Sequence, residues 1–211
     1  MATRLYFSGE VAAEALPDFD PAWDSTADAV SMSLVAEKTD SGVVSVNAFS
    51  GSLKVAFGRF VSSPLAAQTI TGTVKCYLMV ADRDSTSGCL SYMALKVVSS
   101  DGQTVRGTLL ALSHHGSGLE FVSLFTNRLY ASNAVSEVEC QVGDRLMAEI
   151  GVFNGSLSED MRLITGAPNI ADIPENETNQ EQLDGWLELS MDLAFQSSSD
   201  AAPNLSLLGV G

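Results

Sequence analysis

Apolar residues recur along this chain mostly at every second position. Within 69–81, Ile70, Val74, Cys76, Leu78 and Val80 share one parity, while Thr69, Thr71, Thr73 and Lys75 share the other. That is the pattern of a strand with one face turned to a core. Residues 185–195 repeat it, with Leu187, Leu189, Met191, Leu193 and Phe195 against Glu188, Ser190 and Asp192. A helix would scatter either set around its circumference. Further strands are predicted over 3–8, 32–37, 53–61, 90–98, 104–112, 119–125, 145–153 and 161–165. Turn-forming runs separate them, among them Asp84-Ser85-Thr86-Ser87-Gly88, Ser100-Asp101-Gly102, His115-Gly116-Ser117-Gly118 and Asn154-Gly155. About ten strands and no convincing helix predict an all-β fold, an antiparallel two-sheet β-sandwich that is jelly-roll-like; a closed barrel is the nearest competitor.

Two segments depart from the pattern. Residues 10–28 hold six acidic side chains and no basic one, with Pro17, Phe19, Pro21 and Trp23 interleaved. Apolar anchors in a proline-broken stretch predict an extended arm lying over the body. Residues 196–203 are rich in Ser and Ala, and an apolar run with Leu205, Leu207 and Leu208 follows. The expected organisation is one β-sandwich domain over 1–195, with 10–28 packed on it, and a linker and apolar tail over 196–211. The tail either docks on a neighbouring subunit, making the chain a homo-oligomer, or packs back on its own sheet.

Charge narrows the function classes. Eleven Lys and Arg stand against 26 Asp and Glu in 211 residues, a net charge of −15, and the basic residues are spread singly. Such a surface repels phosphate backbones and anionic lipid, so neither nucleic acid nor membrane is an expected partner. The first ten residues lack the apolar run of a secretory signal, and nothing approaches eighteen consecutive apolar residues. Cys76, Cys89 and Cys140 are odd in number and form no C-x-x-C pair, so neither a zinc site nor a disulfide framework is expected. If 70–80 and 90–98 formed a hairpin, Cys76 would lie opposite Met93; buried thiols in a reducing compartment are the simpler expectation.

Little chemistry is legible. His114 and His115 are adjacent, so on a strand they point to opposite faces and cannot share a metal. No G-x-S-x-G elbow is present for a serine nucleophile. Glu137 with Glu139, and Glu188 with Asp192, could serve as paired acids of a glycoside hydrolase, although 26 acids make such pairs common. Oxygen-rich Asp172-Ile173-Pro174-Glu175-Asn176-Glu177 could hold calcium, but lacks the register of a dedicated loop. No catalytic residue and no cofactor are therefore expected. Trp23, Tyr77, Tyr130 and Trp186 are candidate exposed aromatics for a sugar-binding face; Trp23 and Trp186, with Leu205, Leu207 and Leu208, are the candidate interface residues.

Several runs carry a resemblance across nearly the whole chain: Thr3 to Phe7, Phe19 to Thr26, Phe60 to Lys75, Val97 to Leu110, the Gly143-Asp144-Arg145 turn leading into Glu149-Ile150-Gly151, Asp172 to Thr178 and Trp186 to Ser190. Together they resemble structural proteins of the virions of tailed bacteriophages. The resemblance implies a virion component with a β-sandwich body and no catalytic residues, made in the host cytoplasm and carried on the particle. Within a particle, the arms suit a capsid decoration, or cement, protein that contacts the major capsid protein. The alternative is a tail or collar module that binds a host glycan; a glycoside hydrolase is more remote.

Overall fold

The computed structural model describes residues 1–38, 43–46, 52–82, 90–114, 126–154, 161–165, 169–175 and 183–197. These residues form an all-β structure. Its strands are β1 (Thr3–Ala12), β2 (Val30–Val35), β3 (Val43–Val46), β4 (Leu53–Ser62), β5 (Gln68–Ile70), β6 (Thr73–Asp82) and β7 (Leu90–Val98), followed by β8 (Val105–His114), β9 (Thr126–Ala134), β10 (Val138–Cys140), β11 (Arg145–Asn154), β12 (Met161–Ile164) and β13 (Trp186–Leu189).

Eleven strands make one sheet in the order β3-β12-β6-β13-β1-β2-β4-β11-β7-β8, and β9 pairs along β6. Strands β10 and β5 make a second, two-stranded sheet. The large sheet curls. Leu78 of β6 and Leu95 of β7 stand far apart in strand order, yet both are fully buried in one core with Leu5, Phe7, Phe60, Ile150 and Leu187. Curling brings β8 back against the segment between β9 and β10, where the Ser136 N–H donates to the Leu109 carbonyl at 2.9 Å. Phe7 and Phe60 meet edge to face at the centre of this core, ring centroids 4.9 Å apart.

The inward parity read over 70–80 holds where the side chains are described: Ile70, Val74, Cys76 and Leu78 are each fully buried. The strand itself is broken. Gly72 takes φ +98°, which an L side chain rarely adopts, so 68–70 joins the small sheet while 73–82 joins the large one. Over 185–195, strand pairing stops at Leu189; Leu193 still turns inward, and Phe195 bridges to Leu65. Predicted strand 119–125 lies outside the described residues, and β3, β9 and β10 were not anticipated.

Two expectations are corrected. A purely antiparallel arrangement fails at β2, which runs parallel to β4 with Val30 beside Gly58 and Leu34 beside Ser62. The hairpin between 70–80 and 90–98 is not formed: β7 pairs with β8 and β11, and Cys76 lies opposite Leu187 and Tyr130, not Met93. Cys76 and Cys140 are buried free thiols, as expected. Among the described residues no helix is long and apolar enough to cross a membrane.

Candidate functional site

Residues 13–28, between β1 and β2, form a strap over the outer face of β4, β11 and β7. On that face Lys96 of β7 and Glu149 of β11 are buried, at 5 % and 0 % exposure. Lys96 Nζ lies 3.0 Å from Glu149 Oε1 and 2.9 Å from Asp20 Oδ2 of the strap. Glu149 also accepts the Asp20 backbone N–H and the Trp23 indole N–H. A carboxylate taken out of water needs this many donors. Burial pushes the Asp20 carboxyl up, but the hydrogen bonds from Lys96 and the Ala22 N–H and the Lys96 charge outweigh it, holding the group below its usual range.

Trp23 lies over Gly151, where a Cβ would come within 2.6 Å of the indole ring. Further along, the Asp24 N–H bonds the Lys54 carbonyl and Ser25 bridges to Val55, so the strap pairs briefly with β4. Phe19 stacks under the Arg59 guanidinium at 4.7 Å. At the other end Glu14 pairs with Arg145 at 2.7 Å, while Arg145 also donates to the Ser62 carbonyl. Ala15 packs with Val61, Val98 and Met147 beneath it.

A second clamp holds residues 169–175 and 183–185 on the outer face of β1, β13 and β6. Arg4 bonds Glu188 through Nε and Nη2, at 3.0 and 2.8 Å, and Asp172 through Nη1 at 2.7 Å. Lys38 Nζ sits 2.7 Å from Asp172 Oδ1 and 2.8 Å from Asp184 Oδ2. The Tyr6 hydroxyl donates to Asp172 at 3.2 Å. Burial raises the Asp172 carboxyl, and Lys38, Arg4 and Tyr6 together pull it below its usual range. Beneath these charges the Arg4 guanidinium covers the Trp186 ring at 3.8 Å, Tyr77 packs on that ring at 4.6 Å, and the indole N–H donates to the Ile173 carbonyl.

Exposed polar groups gather at a groove of about 460 Å³ between β8 and β10, lined by Arg106, Thr108, Glu137, Glu139 and Gln141 over Val138 and Cys140. Arg106 is oriented by Asp144, which is 1 % exposed: its Nε lies 3.2 Å from each carboxylate oxygen. Asp144 also accepts the Gln141 N–H. Burial, and secondarily the Asp144 charge, raise the Cys140 thiol to about 11, so it is a poor nucleophile at neutral pH. The groove can take a polar or charged group by hydrogen bonding.

The structure places the expected site residues as follows. Trp186 is 0 % and Trp23 7 % exposed, and Tyr77 is buried as well, which corrects the expectation of exposed aromatics: their ring faces are covered by this chain's own residues. The Tyr130 side chain, His115, Leu205, Leu207 and Leu208 lie outside the described residues. Of the other acidic pair, Glu188 is engaged by Arg4, and Asp192 is exposed beside the N-terminal amine. Glu137 and Glu139 do share the groove. In the oxygen-rich loop, Asp172 is held by Arg4 and Lys38 and Glu175 by Lys75, while Asn176 and Glu177 lie outside the described residues. His114 is exposed beside Tyr92. Among the described residues, no three His, Cys, Asp or Glu side chains converge to hold a metal ion.

No protein family and no curated protein sequence matches the chain. Among solved structures it is similar to a CocE/NonD family hydrolase, SACOL2612, from Staphylococcus aureus, at 10 % identity and a TM-score of 0.42, covering 90 % of this chain and 36 % of that one. A second structure of that hydrolase gives 11 % identity and a TM-score of 0.31, covering 90 % and 34 %. A structure of infectious bursal disease virus, Gx strain, gives 12 % identity and a TM-score of 0.25, covering 82 % and 41 %. The chain thus spans well under half the length of each of these.

Proposed function

We propose that the chain is a non-enzymatic structural component of a bacteriophage virion, most simply a capsid decoration protein that stabilises the head through subunit contacts. One observation carries this reading. The buried or half-buried carboxylates of the body, Asp144, Glu149, Asp172, Asp184 and Glu188, are each neutralised by an Arg or Lys reaching from another part of the chain. They fix loops and a strap to a sheet, which suits a part whose task is to keep its shape. In this reading the body is a jelly-roll-like sandwich, made in the host cytoplasm, carried on the virion as a homo-oligomer and bound to the major capsid protein.

The groove favours a second reading, a tail- or collar-associated module that binds a host glycan, because Thr108, Gln141, Arg106 and the two glutamates offer donors and acceptors to hydroxyl groups. Mass spectrometry of purified particles tests the first reading. The chain is expected at a copy number set by head symmetry; its absence from the particle, or a few copies in isolated tails, overturns the decoration role.

A further inference from the structure

Strands β4, β7 and β11 carry four of the chain's eleven basic side chains, Lys54, Arg59, Lys96 and Arg145, and a single acidic one, Glu149. They form a cationic face on a chain of net charge −15. The strap over that face has the opposite character: residues 13–28 hold Glu14, Asp18, Asp20, Asp24 and Asp28 and no Lys or Arg. The two surfaces match group by group. Glu14 meets Arg145 at 2.7 Å, and Asp20 meets Lys96 at 2.9 Å. Burial lowers the Arg59 pKa, and the charges of Asp18 and Glu149 oppose that. The Asp24 carboxylate accepts the Lys54 backbone N–H at 2.7 Å. Shape matches as well, since the space above Gly151 takes the Trp23 indole and Glu149 beside it accepts the indole N–H.

The strap is also separable from the sheet. Strands β1 and β2 pair directly, Phe7 beside Leu34 and Ala12 beside Met32, and the Ala13 N–H donates to the Ser31 carbonyl, so the loop is closed at its base. Its buried side chains are Ala15, Pro17 and Trp23, and its backbone bonds β4 at Lys54 and Ala56. Lifting it therefore breaks ion pairs, a few backbone hydrogen bonds and one deep aromatic contact, and leaves the pairing of β1, β2 and β4 in place. Segments of this kind open at a lower free energy than the strands beneath them.

We propose that the outer face of β4, β11 and β7 is a docking site for an acidic, extended, tryptophan-bearing segment of another protein chain, and that the strap fills this site from within. The partner's carboxylates pair with Arg145, Lys96 and Arg59; its indole lies over Gly151 and donates to Glu149, replacing the donor that leaves with Trp23. The strap is then an internal competitor, and the partner's affinity is reduced to the extent that the strap is closed. The inference goes beyond the virion reading and stands without it, since it concerns only what this face binds.

A labelled synthetic peptide with the sequence of residues 13–28, titrated by fluorescence anisotropy into the full chain, tests it. In the variant Glu14→Gln, Asp20→Asn, Trp23→Ala the strap is unlatched, and the peptide should bind at least about tenfold more tightly than to the native chain. Adding Lys54→Glu and Arg59→Glu to that variant should weaken binding at least about tenfold. A scrambled peptide of the same composition, and so the same charge, should bind far less well than the native order. Hydrogen exchange should show the amides of 19–25 opened in the unlatched variant and those of β4, β7 and β11 still protected. If the triple variant fails to fold, Glu14→Gln with Asp20→Asn takes its place, and the same outcomes apply. No binding to the unlatched chain, equal binding to the native and unlatched chains, or equal binding of the scrambled peptide overturns the proposal. Strap amides that stay as protected as in the native chain also overturn it, because the latch is then not made by these groups.

Discussion

Glu149 on β11 and Lys96 on β7 face each other at 3.0 Å on the outside of the sheet, and both are buried because the strap closes over them. Asp20 and Trp23 of the strap bond to the pair, so three segments distant in sequence meet there, and its value lies in holding the strap against the sheet.

Removing one partner leaves the other charge stranded. Glu149→Ala is expected to destabilise the protein by about 3–5 kcal/mol, and Lys96→Ala to act in the same direction. The double variant Lys96→Met with Glu149→Leu should recover much of that loss, since an apolar pair needs no donors. Urea denaturation of the four proteins checks this; a double variant as unstable as the sum of the singles would count against it.

Acid should loosen both clamps. Asp20 and Asp172 bind protons less readily in the folded state than their ordinary value of 3.8. Their stabilising contribution is thus complete above about pH 5 and lost as pH falls below 3.8 through the folded values. The denaturation midpoint should fall over that acid window, and Asp172→Asn should flatten its part of the slope. A slope unchanged in Asp172→Asn would remove that residue from the account.

Gly151 leaves room for Trp23. A methyl group there would enter the indole ring, the ring approaching within 2.6 Å, and would meet the Val55 carbonyl behind it. Gly151→Ala is expected to cost about 1–3 kcal/mol and to expose the Trp23 indole. The Trp186→Phe background isolates that fluorescence, whose emission should shift to longer wavelength.

Trp186 bears on the glycan-binding reading. Its ring lies between Arg4 and Tyr77, and its N–H is bonded within the chain. Trp186→Ala should therefore destabilise the body by about 3–5 kcal/mol, rather than remove a ligand contact from an intact fold. Thermal unfolding read beside any glycan titration separates the two outcomes.

The strand content and the main buried face were legible because period-two alternation survives wherever one face meets the core, as at Ile70, Val74, Cys76 and Leu78. What alternation hides is a strand covered on both sides. Tyr77 and Trp186 sit on the parity that reads as outward, yet residues 169–175 and 183–185 fold over them. Nothing local to Trp186 announces that cover; the signal is the partnership of Arg4, Lys38 and Asp172, which are 168 residues apart at their widest. Parallel pairing of β2 with β4 is invisible for the same reason, since alternation records which face is buried and carries no direction. The strap was readable in outline from its prolines and aromatics. Its anchors Lys96 and Glu149 were not, because each stands alone within an apolar strand and only the fold brings them together.

The position of β1 has a consequence for how the protein is made. It lies in the interior of the large sheet, between β2 and β13, with Thr3 beside Leu189 and Tyr6 beside Trp186. One edge of β1 therefore stays unpaired on the ribosome until about 180 further residues have been synthesised. Such late closure is slow and leaves a nascent strand edge exposed to other chains. Yield from rapid synthesis should suffer more than the stability of the finished protein would suggest.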